Sequence, residues 1–253
     1  MGDMLNRHFG KLLLTRAAAA GLALAAGALA LSPSAAGAAV ARPKPPRTIY
    51  AVTFAANSAL YRLNPRTHAV VLKGHTGAML TDITFRHKTL YAISFTTLYR
   101  LNAANGARHR VGPLGVSSAN ALTTQPGTGR LYGASQSGQF FRVSPRTGRA
   151  TVIGRLGHLL GSSGDLTFAR GRLYATLSEP GSQLSFLARV NLRTGAATII
   201  ATTRHNRVWG LVTGTRGLYG ATFGGSFLAI SPATGRTRVI WRDGLAVGGL
   251  AVP

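Results

Sequence analysis

A tyrosine preceded by Leu or Ile recurs five times along the chain, at intervals of about 40 residues. The tyrosines are Tyr50, Tyr91, Tyr132, Tyr174 and Tyr219, with steps of 41, 41, 42 and 45 residues. Each is followed by a second short apolar segment, a turn (PRTH, AANG, PRTG, LRTG or PATG) and a third apolar segment. Glycine at the end of such a turn supplies the positive φ that starts the next strand of a hairpin. The repeat therefore predicts small antiparallel sheets rather than helices.

The strand that should precede the tyrosine is missing from the first repeat and is found at the other end of the chain. Four repeats contain it, as TDITF, ANALTT, GDLTF and WGLVT, whereas the first begins directly at Ile49. The segment Gly248–Pro253 (GGLAVP) matches GDLTFA. A closed ring needs such a strand to join its last repeat to its first. We therefore predict an all-β fold, a five-bladed β-propeller over residues 48–253 that is closed by Gly248–Pro253. A stacked β-solenoid is the alternative, and it would not need this strand.

Residues 1–41 are predicted to be a secretory signal peptide. Three basic residues precede the apolar run Ala17–Leu31, which is shorter than the roughly 20 residues of a membrane-spanning helix. Small-residue patterns then allow cleavage after Ala38 or Ala41. An uncleaved N-terminal anchor is the alternative. Residues 42–47 form a stiff Pro-rich basic spacer, and the chain contains no cysteine, which excludes disulfides and a lipid-anchored cysteine. We expect an exported, soluble monomer.

The repeats resemble those of a large, loosely related class of secreted bacterial β-propellers with LYG…DPxTG repeats. Asn or Ser stands where that class has Asp in the turn, namely at Asn64, Asn102, Ser144, Asn191 and Ser231. The resemblance implies a propeller and a bacterial source, but no particular activity, because such propellers serve as lectins, enzymes and scaffolds. In propellers similar to this one, ligands bind where the connections between blades converge on the central channel.

The chain carries 29 Lys and Arg against five Asp and Glu, and the predicted topology sorts these charges. In an antiparallel meander, the turns after the first and third strands of every blade lie on one face of the ring. We call this the basic face, because the residues placed there are all cations: Arg66, Arg86, Lys88, Arg130, Arg146, Arg149, Arg170, Arg172, Arg193, Arg216 and Arg236. One interpretation is a solvated surface that keeps the protein soluble. The other is a docking face for polyanions, whose phosphate or sulfate groups suit arginine.

The opposite face holds the candidates for a small-ligand site at the end of the central channel, which we call the channel mouth. They are His75, Asp82, Asn120, His158, Asp165, His205, Asn206, Trp209 and Asp243. We expect Asp82 and Asp165 to look into the mouth, either capping exposed backbone N–H groups or orienting a histidine base. Trp209, together with Trp241, would form a platform for a sugar. The histidine spacings are repeat spacings and not a metal-ligand motif, so we expect no metal and no cofactor.

From these features we expect an exported, non-catalytic binding module. Its partner would be an anionic cell-envelope or extracellular polymer bound by the basic face, with a carbohydrate or small polar ligand at the channel mouth. The alternative is a secreted propeller enzyme, a lyase, lactonase or cyclotransferase-like protein, that uses the His/Asp set at the mouth. No membrane span is expected after cleavage of the signal peptide.

Overall fold

The computed structural model describes residues 44–215 and 217–253, so the expected signal peptide and Arg216 lie outside the described residues. Within these two ranges, twenty strands form five four-stranded antiparallel sheets. Blade one contains β1 (Ile49–Thr53), β2 (Ala59–Asn64), β3 (Ala69–His75) and β20 (Val247–Ala251). Blade two contains β4 (Asp82–Arg86), β5 (Thr89–Ile93), β6 (Thr97–Leu101) and β7 (Arg108–Pro113). Blade three contains β8 (Ala119–Thr124), β9 (Leu131–Ser135), β10 (Gln139–Val143) and β11 (Ala150–Arg155).

The last two blades follow the same order of strands. Blade four contains β12 (Gly161–Ala169), β13 (Arg172–Ser178), β14 (Leu184–Val190) and β15 (Ala197–Asn206). Blade five contains β16 (Val208–Thr213), β17 (Leu218–Thr222), β18 (Ser226–Ile230) and β19 (Thr237–Arg242). Within 44–215 and 217–253, no helix has the length and apolar character needed to cross a membrane.

The five sheets form a ring, and the prediction of a five-bladed β-propeller is confirmed. The innermost strands β20, β4, β8, β12 and β16 neighbour one another around a central channel. The C-terminal strand β20 pairs with β1, with Tyr50 opposite Ala251, and thereby completes blade one. Closure of the ring leaves no inner sheet edge open to another chain.

The apolar core lies between adjacent blades rather than inside any one of them. Tyr132 of blade three, for example, is buried against Phe168 and Leu173 of blade four. Tyr219 of blade five is fully buried in a cluster that includes Ile49 of blade one. The recurring tyrosines thus fill the seams between blades, which explains why they repeat with the period of the blade.

The turns between the third and fourth strands have the backbone that their sequences predict. The closing glycines Gly106, Gly148, Gly195 and Gly235 have φ values of 76, 80, 77 and 65°, and His68 takes the same place in blade one with a φ of 60°. The residue that replaces Asp still accepts a backbone hydrogen bond within the turn, as between Asn64 Oδ1 and the Arg66 N–H at 3.0 Å. The turn is therefore capped without a negative charge.

Closure of the ring requires glycine at one position of the final strand. A Cβ atom on Gly249 would overlap the Asp82 carboxyl and its Cα, whereas a Cβ on Gly224 would meet nothing closer than 3.8 Å. We predict that Gly249→Ala lowers the free energy of unfolding by about 1–3 kcal/mol through overpacking. Urea unfolding measures this effect, with Gly224→Ala as the matched control. Equal stability of the two variants would contradict this packing at the axis.

Candidate functional site

Five backbone N–H groups of the innermost strands point towards the central channel. They belong to residues in equivalent places on the five blades: Ile83, Leu122, Leu166, Leu211 and Leu250. Each lies on the edge of a sheet that faces the channel, where no further strand follows to accept its hydrogen bond. Buried N–H groups without acceptors are costly, at about 1–3 kcal/mol each. The channel therefore needs acceptors at this level.

Two buried carboxyl groups supply all of these acceptors. Asp82 accepts from the N–H of Ile83 at 2.7 Å and, across the blade boundary, from that of Leu122 at 2.6 Å. Asp165 accepts from the N–H groups of its neighbour Leu166 and of Leu211, both at 2.6 Å. The second oxygen of Asp165 also accepts from the N–H of Leu250 in the closing strand, at 3.3 Å. Two side chains thus tie five blades together.

The two carboxyl groups lie together on the axis, and the pKa of each is raised above its ordinary value. Both residues have zero solvent exposure. Burial raises the pKa of Asp82, the negative charge of Asp165 raises it further, and its two backbone hydrogen bonds only partly oppose this. Burial also raises the pKa of Asp165, against which act three backbone N–H groups and the hydrogen bond from Asp82. Because each carboxyl group acts on the other, the two titrate as a pair rather than as separate groups.

The structure matches the capping alternative for this pair and does not place it at an open channel mouth. Both carboxyl groups lie deeper in the channel than the mouth and are enclosed by the inner strands. Each accepts from the N–H group of the next residue in its own strand. With every oxygen directed at a backbone N–H group, neither side chain faces a space that a substrate could enter.

Two of the three candidate histidines lie on outermost strands and the third lies in a loop, and none of them is hydrogen-bonded to Asp82 or Asp165. His75 ends the outermost strand β3, His205 lies near the end of the outermost strand β15, and His158 is exposed in the loop before β12. Three steps of strand spacing separate an outermost from an innermost strand, or about 14 Å. The described residues contain no group of three His, Asp or Glu side chains that could hold a metal ion. The expected His/Asp catalytic set is therefore not assembled.

The remaining polar candidates are spread along the rim of this face. Asn206 is exposed at the end of β15. His205 is half-buried, and its pKa is lowered by burial and by the positive charge of Arg242. Asp243 accepts from the Leu245 N–H at 2.9 Å with one oxygen, while its other oxygen has no hydrogen-bond partner. Burial raises the pKa of Asp243.

The expected pairing of two tryptophans is wrong, because they lie on opposite edges of blade five. Trp209 is on the innermost strand β16 and Trp241 on the outermost strand β19. Trp241 stacks on His68 with ring centroids 5.4 Å apart, in the seam between blades five and one. Trp209 instead packs against Phe54 at 5.2 Å and Phe223 at 4.8 Å.

The channel mouth is built from residues directly before the level of the two aspartates. They are Thr81, Asn120, Gly164, Trp209 and Gly248, one from each blade. At four of the five blades the pairing register of the innermost strand shifts here, which leaves Asn120 and Trp209, among others, without an opposite residue. Bulges of this kind turn a side chain away from the plane of the sheet, and here they line the mouth.

A second set of mouth residues was not predicted from the sequence. These residues follow the second strand of each blade: Phe54, Phe95, Gln136, Glu179 and Phe223. Phe54 and Phe95 are half-buried and contact each other at 6.2 Å between ring centroids. The signal that would have found them is a fixed offset, since four of them stand four residues after the recurring tyrosine and Glu179 stands five after it.

On the other side of the ring, the hairpin turns carry the basic residues as the topology predicts. Eight of the expected residues are exposed: Lys88, Arg130, Arg146, Arg149, Arg170, Arg172, Arg193 and Arg236. Arg66 is exposed too and donates to the Pro45 carbonyl at 2.8 Å, while the half-buried Arg86 donates to the Gly129 carbonyl at 2.8 Å. Arg216 lies outside the described residues, and no described carboxylate lies on these turns.

Three arginines line a groove between blades four and five, with a volume of about 560 Å³. Arg170 and Arg172 flank the tight turn from β12 to β13, and Arg189 lies opposite Tyr174 on the neighbouring strand. Pro232 and Ile199 form its apolar walls. Three guanidinium groups in one groove could bind two or more anionic groups of a polymer at once.

No protein-family model and no curated protein matches this sequence. Among solved structures, the chain is similar to a nidogen/laminin complex, with a TM-score of 0.57 at 12% identity, over 81% of this chain and 80% of that one. It is also similar to an auxiliary nutrient binding protein from Bacteroides thetaiotaomicron VPI-5482, with a TM-score of 0.51 at 14% identity. A protein of unknown function from the same bacterium gives a TM-score of 0.51 at 16% identity.

This chain is shorter than the two bacterial proteins. The matches cover 78% of this chain but only 55% and 56% of those proteins, just over half their length. At identities this low, the likeness extends to the fold alone, which places the chain among the β-propellers.

Replacing the capping carboxylates should destabilise the ring in proportion to the number of backbone N–H groups that donate to each of them. In an Asn side chain, an NH₂ group replaces one of the two accepting oxygens. Asp82→Asn therefore leaves one backbone N–H group without an acceptor, and Asp165→Asn leaves up to two. We predict that the free energy of unfolding falls by about 1–3 kcal/mol for each N–H group left without an acceptor, with the larger loss in Asp165→Asn. Chemical denaturation measures the change. Asp243→Asn is the matched control, because its amide can take the place of the unpartnered oxygen; a loss as large in that variant would contradict the capping role.

The raised pKa values of the axial carboxyl groups should make the protein less stable as the pH rises. The pKa of Asp82 is raised above its ordinary value of 3.8, so the folded state holds a proton that the unfolded state has released. The resulting stability is fully present below that value and is lost as the pH rises through the raised pKa, by at most about 1.4 kcal/mol per pH unit.

Unfolding measured between pH 4 and pH 9 at constant ionic strength tests this sign. A His205→Gln background removes the opposite contribution of His205, whose pKa is lowered. An Asp243→Asn background removes the other raised carboxyl group. Stability that increases with pH in both backgrounds would show that the pair does not hold a proton.

Proposed function

We propose that this protein is an exported, non-catalytic binding module that docks onto an anionic polymer of the cell envelope or the extracellular space through its basic face. The observation that carries the proposal is the separation of charge across the ring. On the described part of the basic face every charged side chain is a cation. Asp82 and Asp165 are buried on the axis, and Glu179 and Asp243 lie towards the opposite face.

Cations without acidic neighbours are either hydrated or paired with anions from outside the molecule. The exposed groups on the basic face are almost all arginines, whose planar guanidinium groups bind phosphate and sulfate in a bidentate manner. Their spread over the turns of all five blades suits an extended polymer better than a single small anion. Release of counterions from that polymer would drive binding, and the affinity would therefore fall steeply with salt.

The groove between blades four and five is the place where such a polymer would be held most tightly. Arg170 has a φ of 50° and Gly171 a φ of 73°, so a two-residue turn presents Arg170 and Arg172 on either side of it. Arg189 lies opposite Tyr174 on the adjacent strand, and both residues line the groove. These three arginines are the binding residues that we assign first.

Export is proposed from the sequence of residues 1–41 alone, and it places the basic face where envelope polymers are accessible. The similar structure of an auxiliary nutrient binding protein is in keeping with a binding role for a propeller of this kind. The structure does not favour catalysis by the His/Asp set, because His75 and His205 lie on outermost strands and the oxygens of Asp82 and Asp165 accept from backbone N–H groups.

The test is retention of the purified mature domain on immobilised polyphosphate, dextran sulfate and isolated cell envelope as the salt concentration is raised. We predict that the triple variant Arg170→Gln/Arg172→Gln/Arg189→Gln elutes at lower salt. The slope of log affinity against log salt should fall by roughly one for each lost phosphate contact.

The matched control removes three arginines from the opposite face, in the variant Arg155→Gln/Arg204→Gln/Arg242→Gln. Both triple variants lower the net charge equally, so a merely non-specific attraction would weaken both to the same degree. That outcome, or failure of the unaltered protein to bind any of the three materials at low salt, would overturn the proposal. Circular dichroism of each variant reports whether the fold is retained.

A further inference from the structure

The channel mouth contains a small cleft that the polyanion proposal does not use. Its volume is about 20 Å³, enough for roughly one water-sized group. Phe54, Phe95 and Trp209 line it together with Asn120 and Gln136. The cleft therefore combines an aromatic rim with amide groups, on the face of the ring opposite to the basic face.

Asn120 borders this cleft and has one polar atom without a partner. The side chain is 5% exposed, and its Nδ2 donates to the Ser162 carbonyl at 2.9 Å. That bond fixes the orientation of the amide and leaves Oδ1 buried with no hydrogen-bond partner. An unsatisfied buried carbonyl costs about 1–3 kcal/mol, and this cost is relieved by a ligand that brings a donor. Oδ1 is an acceptor only, so the matching ligand group is a donor, namely a hydroxyl, an amide N–H or an ammonium.

The aromatic residues around the cleft offer apolar surface to the rest of such a ligand. Phe54 meets Phe95 and Trp209 edge to face, with centroids 6.2 and 5.2 Å apart, and Phe223 lies 4.8 Å from Trp209. Each of these side chains is half-buried, so part of each ring stays exposed at the mouth. A ligand here would have an apolar face as well as a hydrogen-bond donor.

The charges around the mouth favour a neutral ligand over a cation. The Arg207 guanidinium lies 5.9 Å from the Trp209 ring and 5.5 Å from the Phe223 ring, so a protein cation already interacts with both rings. A ligand ammonium would be repelled by that charge. Glu179, the residue of blade four that corresponds to Phe54 and Phe95, does not line the cleft.

We infer that the channel mouth is a binding site for a neutral pyranose sugar. The C–H face of the sugar lies against Phe54, Phe95 and Trp209, and one hydroxyl group enters the cleft and donates to Asn120 Oδ1. This site is independent of the proposed polyanion docking, since it uses different residues on the opposite face.

The chain has two tryptophans, which allows a specific optical test. In a Trp241→Phe background, the fluorescence comes from Trp209 alone. Methyl glucoside, methyl mannoside, methyl galactoside and methyl N-acetylglucosaminide are then titrated in turn. We expect at least one of them to produce a saturable change in Trp209 emission. The reciprocal Trp209→Phe background, in which only the distant Trp241 emits, should show no change.

Two variants test the contacts. Asn120→Ala removes the acceptor. Phe95→Leu removes the aromatic ring but keeps apolar volume, so this variant should remain folded. We expect each to weaken binding about tenfold, the change that corresponds to roughly 1.4 kcal/mol. Thermal melting confirms that the variants tested are folded.

The inference is overturned if no glycoside changes Trp209 emission at concentrations well above millimolar. It is equally overturned if tetramethylammonium chloride produces a saturable change and the glycosides do not, because the site would then select a cation. Binding that is unaffected in Phe95→Leu would place the sugar elsewhere. Loss of polyphosphate binding in the basic-face variant has no bearing on these results.

Discussion

The hydrogen bonds between two aspartates and five backbone N–H groups are the contacts on which the ring depends. A closed ring of sheets brings five N–H groups to one narrow axis, where no further strand pairs with them. Asp82 and Asp165 reach across blade boundaries, so each joins its own blade to at least one other. Their equivalents in the other blades are Ala121, Gly210 and Gly249, small residues that leave room for two carboxyl groups on the axis. The space on the axis thus limits this level of the channel to two carboxyl side chains and three small residues.

The same arrangement separates the two faces of the molecule. The axial pair, together with the inner leucines, closes the channel between the mouth and a wider opening of about 260 Å³ on the side of the basic face. Because backbone N–H groups donate to the oxygens of both carboxyl groups, little of the charge on the axis acts on either face. The arginines on the hairpin turns and the aromatic residues at the mouth therefore act in separate environments. A polymer and a sugar could be bound together without competing.

Most of the fold could be predicted from the sequence, and the part that could not has a clear cause. The spacing of Tyr50, Tyr91 and the later tyrosines predicts the blades because each tyrosine fills an equivalent seam. The turn conformations follow from local residues such as Gly148 and Asn64. The placement of Trp209 away from Trp241 was missed, because it depends on which edge of the sheet each strand occupies. The bulge at Asn120 and the pairing of Asp82 with Asp165 arise only when distant strands meet at the axis.

The pairing of β1 with β20 has a mechanical consequence. Tyr50 lies opposite Ala251, so the first strand begins where the last one ends, and the two run antiparallel from that point. A force that pulled the two ends of the domain apart would break these hydrogen bonds one after another and not all at once. The closed ring would therefore open readily under tension applied through the ends of the domain. Anchoring through the face of the ring avoids that path, since a load on the hairpin turns is shared among all five blades.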